Sequence, residues 1–148
     1  MSRIDYGAIE TAIQTVLDAD PSVGGAGVKT ILEDQFPFGA EATPWVGVYL
    51  ENRELAGDQP IAANTVVRMR LRFSLWCVTY SLDIPSAMSA RDELMGNVEI
   101  ALLKVPTLNL AGVRTFLAGG DFQTGQEAGT WEAAGEVVLT CEVRGTTT

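Results

Sequence analysis

The clearest pattern in the chain runs over residues 65–80. There Val67, Met69, Leu71, Phe73, Leu75 and Cys77 alternate strictly with Val66, Arg68, Arg70, Arg72, Ser74, Trp76, Val78 and Tyr80. A period of two puts the first set on one face of a β-strand and the second set on the other. At about 3.3 Å per residue the strand spans about 50 Å, several times the usual length, so it bends or projects beyond the domain body. Its second face changes character at Ser74. Charged side chains come before it and Trp76, Val78 and Tyr80 after it, so the second half is expected to be covered on both faces. Residues 131–144 alternate in the same way, with Trp131, Ala133, Val137, Leu139, Cys141 and Val143 opposed to Glu132, Glu136, Thr140 and Glu142. Shorter strands are predicted over 28–33, 45–51 and 113–117.

Two segments carry the helical period instead. Over residues 2–19, Ile4, Ala8, Ile9, Ala12, Ile13, Val16 and Leu17 recur at three- and four-residue spacings. Ser2 is the expected N-cap, with Asp5 three positions on in the manner of a capping box. Pro21 ends this helix by disfavouring helical geometry at Asp20. The second helix is capped within 83–86, tolerates Pro85 near its start, and carries Ala87, Arg91, Leu94, Val98, Ala101, Leu102 and Val105 up to Pro106. Gly96 sits on the flank opposite Leu94, where glycine costs about 1 kcal/mol relative to alanine unless another backbone approaches closely. Between these elements, 22–27 and 36–39 read as loops and 119–125 as a glycine-rich connection. Residues 52–63 read as a polar loop, longer than the roughly two to five residues of an ordinary hairpin connection. The expected fold is α+β: a single domain over 1–148, with two helices packed on a mainly antiparallel, curved sheet of about four to five strands in the order α-β-β-α-β-β.

Composition narrows the function. The 148 residues hold 10 Lys+Arg against 19 Asp+Glu and no histidine, a formal charge of -9 at pH 7. Without histidine the commonest general base and the commonest metal ligand are missing, together with every Ser-His or Cys-His arrangement. A strongly acidic chain is repelled by a phosphate backbone, which disfavours tight nucleic-acid binding. No apolar stretch approaches the roughly 20 residues of a membrane helix. The start Ser2-Arg3-Ile4-Asp5 begins neither a signal nor a transit peptide, so a soluble, unprocessed protein is expected. Cys77 and Cys141 are expected to be buried apolar thiols. The run Gly24 to Thr30 is not a phosphate loop, because Val28 separates Gly27 from Lys29 and a helix precedes it. Asp92 with Glu93, and the row Glu132, Glu136, Glu142, read as solvated carboxylates rather than acid/base pairs. No enzyme, catalytic residue, cofactor or metal site is expected.

Arg68, Arg70 and Arg72 are three of eight arginines, in a chain with only two lysines. Two readings of this row stay open. Within the sheet, it pairs across strands with Glu132, Glu136 and Glu142. At a subunit boundary, the planar guanidinium forks pair with a neighbour's carboxylates, and Trp76 and Tyr80 on the same face supply the aromatics enriched in interfaces. The candidate subunit-interface residues are therefore Arg68, Arg70, Arg72, Trp76, Tyr80, Glu132, Glu136 and Glu142. Arg53, Glu54 and Asp58 form a candidate partner-contact loop.

The element order, the first helix ending at Asp20-Pro21 before a glycine-containing loop, and the run Pro44-Trp45-Val46-Gly47-Val48-Tyr49 entering the sheet together resemble the tail terminator (tail completion) proteins of long-tailed bacteriophages. The resemblance covers most of the chain, and related phage neck and minor tail proteins share much of it. It implies a structural virion protein that forms a ring, commonly of six subunits, at the head-proximal end of the tail tube. Such a ring terminates tube growth and offers the head-joining surface. The implied partners are further copies of the chain, the tail tube protein and a head-completion or neck protein, with no membrane and no cofactor. DNA would pass through the lumen without specific binding, and the protein would reside in the virion tail after assembly in the host cytoplasm. An acidic ring offers DNA little binding energy. The arginine row departs from that pattern, which places it between subunits or within the sheet. Two other classes remain: a small α+β ligand-binding domain or enzyme with a pocket near Trp45, Tyr49, Trp76 and Tyr80, and an adaptor that binds one partner without forming a ring.

Overall fold

A computed structural model of the chain describes residues 4–35, 44–55, 66–127 and 129–146. In chain order the elements are α1 (Tyr6–Ala19), β1 (Lys29–Leu32), β2 (Trp45–Leu55), β3 (Val66–Ser81), α2 (Ile84–Leu103), β4 (Val113–Ala118), β5 (Phe122–Glu127) and β6 (Thr130–Thr146). Short 3-10 turns lie at Gly24–Ala26 and Glu33–Gln35. The strands form one sheet in the order β1-β2-β3-β6-β4, with β5 also paired to β6. β1 runs parallel to β2 and every other pairing is antiparallel. The α+β class is as expected, with six strands rather than four to five.

Both helices begin on an aspartate. Asp5 caps α1, its Oδ1 accepting the Ala8 N–H at 3.0 Å, so this helix starts later than expected and Ser2 lies outside the described residues. The carboxylate wins because it satisfies an orphan N–H of the first turn and sits at the positive end of the helix dipole. Asp20 is extended and Pro21 follows, which ends α1 where the sequence predicts. Asp83 caps α2, accepting from Ser86 N–H at 2.9 Å. Ala87, Arg91, Leu94, Val98, Ala101 and Leu102 are buried. Arg91 is tolerated in that stripe because its guanidinium lies 4.5 Å from the Phe122 ring centre and 3.0 Å from Asp92.

The core lies between the two helices and one face of the sheet. Ile9, Ile13 and Leu17 from α1 and Leu94, Val98 and Leu102 from α2 close over Val46, Val48, Leu71, Phe73, Leu75, Cys77, Val137, Leu139 and Cys141. Side chains of this size stabilise the fold by about 1.5–3 kcal/mol each when fully buried. Both thiols are inside this core, and burial pushes each up to about 12.

β6 is the spine of the sheet. Along one edge it pairs with β3 from Val66↔Thr146 to Ser81↔Trp131. Along the other it pairs first with β5 and then with β4. The stretch 119–125 is thus not only a connection: residues from Phe122 onward form β5. The expected loop 52–63 is also corrected, because β2 continues to Leu55 past an irregularity between Leu50 and Asn52. Arg53 and Glu54 stand in that strand opposite Leu71 and Arg70. Asp58 lies outside the described residues.

Candidate functional site

The face of the sheet turned away from the helices carries nearly all the residues singled out from the sequence. Register aligns Arg114 of β4, Glu142 of β6, Arg70 of β3 and Glu54 of β2 in one row across four strands, with charge alternating along it. Arg70 uses both terminal nitrogens: Nη1 stands 3.5 Å from Glu54 Oε1 and Nη2 stands 3.3 Å from Glu142 Oε1. Arg72 Nε lies 3.0 Å from Glu51 Oε2. These side chains are largely solvent-accessible, so each pair contributes about 0–1 kcal/mol. Of the three glutamates expected to neutralise the arginine row, Glu142 pairs with Arg70. Glu51 and Glu54 supply the other ion pairs of Arg70 and Arg72 among the described residues, because the strand extension of β2 lays them beside β3.

Glu132 is exposed and stands opposite Tyr80. Glu136 overturns the expectation of a solvated carboxylate: it is 6% exposed. It accepts a hydrogen bond from Ser74 Oγ on β3 and another, at 3.3 Å, from the Asp121 N–H. Its own N–H donates to the Asp121 carbonyl at 2.8 Å. The turn between β4 and β5 therefore folds onto β6 and is fastened there. A buried carboxylate is tolerated only with such donors in place.

Further along the same face the register sets Trp45 opposite Val78, Gly47 opposite Trp76 and Tyr49 opposite Ser74. The Trp45 Nε1–H donates to the Tyr80 hydroxyl at 3.0 Å. Trp45, Tyr49, Trp76 and Tyr80 are half-buried, while Gly47, Ser74, Val78, Ala134 and Val138 among them are buried. The second half of β3 is covered on both faces as expected, and the chain's own aromatic rings supply part of the cover. Burial and the Glu33 carboxylate push the Tyr49 hydroxyl above its ordinary pKa.

Where β3, β6 and β4 lie side by side, Arg68, Arg114 and Arg144 line a cleft of about 340 Å³ together with Gly112, Val113, Glu142 and Val143. Arg68 and Arg144 are direct cross-strand partners, and Arg114 lies 5.5 Å from the Phe116 ring centre. Glu33 and Asp34 follow β1, and burial, together with these two carboxylates, pushes the Glu10 carboxyl of α1 up. Arg114 and Arg144 were missed as site residues from the sequence, although both fall in the polar phase of their strands.

Among the described residues no group of three or more Cys, Asp or Glu is arranged to hold a metal ion. Among the same residues no helix is long and apolar enough to cross a membrane. No family model and no curated protein matches the chain. Among solved structures it is similar to a chain described as the virion of a native gene transfer agent particle, with a TM-score of 0.67 at 19% identity. The match covers 95% of this chain and 100% of that one. At this identity the likeness is one of fold, and it extends over both helices and the sheet.

Proposed function

We propose that the protein is a structural component of a phage-like virion, acting as a tail terminator. In this reading copies of the chain form a ring, six being the commonest number, at the head-proximal end of the tail tube. The ring stops tube growth and presents the surface to which a head-completion or neck protein joins. The observation that carries this is the shared fold, end to end, with a chain of a gene transfer agent virion. The chemistry of the outer face supports it, since Arg70 and Arg72 are paired with Glu51, Glu54 and Glu142 of neighbouring strands and Glu136 is held by the Ser74 hydroxyl. The formal charge of -9 favours a lumen through which DNA slides.

The test is light scattering behind size exclusion over a wide concentration range, with negative-stain images of the protein alone and mixed with tail tubes. The expected result is a mass several times 15.8 kDa and rings seated on one end of each tube. A chain that stays monomeric at every concentration and leaves tubes uncapped overturns the reading.

A further inference from the structure

The N–H groups of Glu136 and Arg144 both reach to the β4–β5 side of β6. Backbone groups alternate in direction along an antiparallel strand, so even-numbered residues of β6 bond to that side and odd-numbered residues bond to β3. Carried through the register, Gln123 and Gly125 face β6, and the N–H and C=O groups of Phe122, Thr124 and Gln126 point to the open side of β5. On β3 the even-numbered residues face β2, so Asn52 and Glu54 bond to β3 while Arg53 and Leu55 point outward. β1 pairs with β2 over residues 45–48 and stops short of 52–55. Among the described residues no strand lies against the open side of β5 or of residues 52–55. Elsewhere the sheet edge is occupied: on β1, Gln14 Nε2 donates to the Thr30 carbonyl at 2.9 Å and the Leu32 N–H donates to Gln35 Oε1 at 3.0 Å. On β4 the Thr115 N–H donates to the Pro106 carbonyl at 3.0 Å. The two open edges also carry exposed apolar side chains, Leu55 at 50% and Phe122 at 59%. Both lie on the helix side of the sheet, Leu55 opposite the core-packed Met69 and Phe122 against Arg91 of α2.

We propose that the open edge of β5 in one copy pairs with residues 52–55 of β2 in the next copy, joining two sheets into one. β5 runs antiparallel to β2 within the chain, so the next copy continues the alternation with its helices on the same face. Setting Leu55 opposite Phe122 sets Arg53 opposite Thr124, which bonds the outward groups of all four and covers both apolar side chains. A second copy is favoured over a foreign strand because one chain supplies both unpaired edges, on opposite sides of its sheet and with their apolar side chains on the same face. Residues 122–126 carry no charge, so chains of net charge -9 meet there without local repulsion. The contact is head-to-tail, the kind that closes into a ring when its rotation allows. β5 adjoins residues 130–135 of β6, whereas 52–55 adjoin 69–72 of β3, which pair with 140–143 of β6. Successive copies are therefore staggered along the strands, as the strands of closed sheets are. This inference rests on the ring-forming reading and names the interface which that reading leaves open.

The experiment uses full-length variants. Thr124→Pro removes an outward N–H and no bond of the chain's own ladder, a position where an edge strand accepts proline. It is expected to keep its melting curve and to self-associate at least about tenfold more weakly than the natural chain. Gln123→Pro removes an N–H directed at β6 and is expected instead to lower the melting curve. The contact itself is read by Leu55→Cys and Phe122→Cys, in chains whose two natural thiols are buried. A hydrogen-bonded antiparallel pair holds its Cα atoms about 5.5 Å apart, within disulfide reach. Under mild oxidation the two chains mixed should form a disulfide with each other, and the double variant should give a ladder of covalent multimers on a non-reducing gel. Thr124→Pro that folds and assembles like the natural chain, or assembled rings without the mixed disulfide, overturns the edge pairing and leaves the ring-forming reading standing. So does Phe122→Cys that cross-links to itself as readily as to Leu55→Cys, which marks a two-fold contact. A natural chain that does not assemble even on tail tubes overturns both. If Thr124→Pro misfolds, the disulfide alone decides.

Discussion

Gly120 lies against the backbone of Glu136 so closely that a Cβ built on it would overlap the Glu136 carbonyl oxygen. The turn carrying Gly120 reaches β6 only because that side chain is missing, and Asp121 then makes its two backbone hydrogen bonds to Glu136. Gly120→Ala is expected to cost about 1–3 kcal/mol, since rigid backbone must shift. Gly96→Ala, whose Cβ meets nothing within 4 Å, is expected to stabilise the helix by about 1 kcal/mol. Thermal melts of the two variants should move in opposite directions.

Ser74 is 1% exposed and donates to Glu136. Ser74→Ala leaves the buried carboxylate with one donor fewer and is expected to cost about 1–3 kcal/mol in urea unfolding. Adding Glu136→Leu to Ser74→Ala should cost less than the two single losses summed, because the two groups share one hydrogen bond.

Arg70 and Leu71 are neighbours in sequence on opposite faces. Arg70→Ala is expected to cost at most about 1 kcal/mol, since its ion pairs are solvent-accessible. Leu71→Ala, at 0% exposure, is expected to cost about 2–5 kcal/mol. Chemical denaturation of the pair measures the difference directly.

Burial holds both thiols protonated up to about 12, against an ordinary value of 9.0. Below pH 9 the two states bind the same thiol protons and stability does not depend on them. Between pH 9 and 12 only the unfolded chain releases these protons, so stability falls as pH rises, by about 1.4 kcal/mol per pH unit for each thiol. Denaturation midpoints in this window should therefore fall more steeply for the natural chain than for Cys77→Ala/Cys141→Ala. At pH 8 neither cysteine should react with a thiol reagent until the protein is unfolded.

Local pattern carried a great deal of this structure. The strict alternation at Leu71, Phe73, Leu75 and Cys77 names the core face of β3, and the three- and four-residue spacing of Ala87, Leu94, Val98 and Ala101 names the buried side of α2. Asp20-Pro21 and Asp83 mark helix ends through chemistry within a few residues. Such features are legible because burial of a face imposes its period on adjacent positions.

Pairing across the sheet was not legible in the same way. Asn52 to Leu55 and Phe122 to Glu127 have no apolar face of their own, and they become strands through ladder hydrogen bonds with β3 and β6. The partners of the arginine row likewise depend on register: Arg70 meets Glu142 from 72 positions away and Glu54 from 16, and nothing within either segment distinguishes these acids from Glu132 or Glu136. Burial of Glu136 depends on a turn crossing it that contains Gly120. The sequence alone determined which faces are apolar, where the helices stop and that no histidine chemistry is present. Which strands lie side by side and which charges meet were decided by tertiary structure, because register is fixed by contacts between segments far apart in the chain.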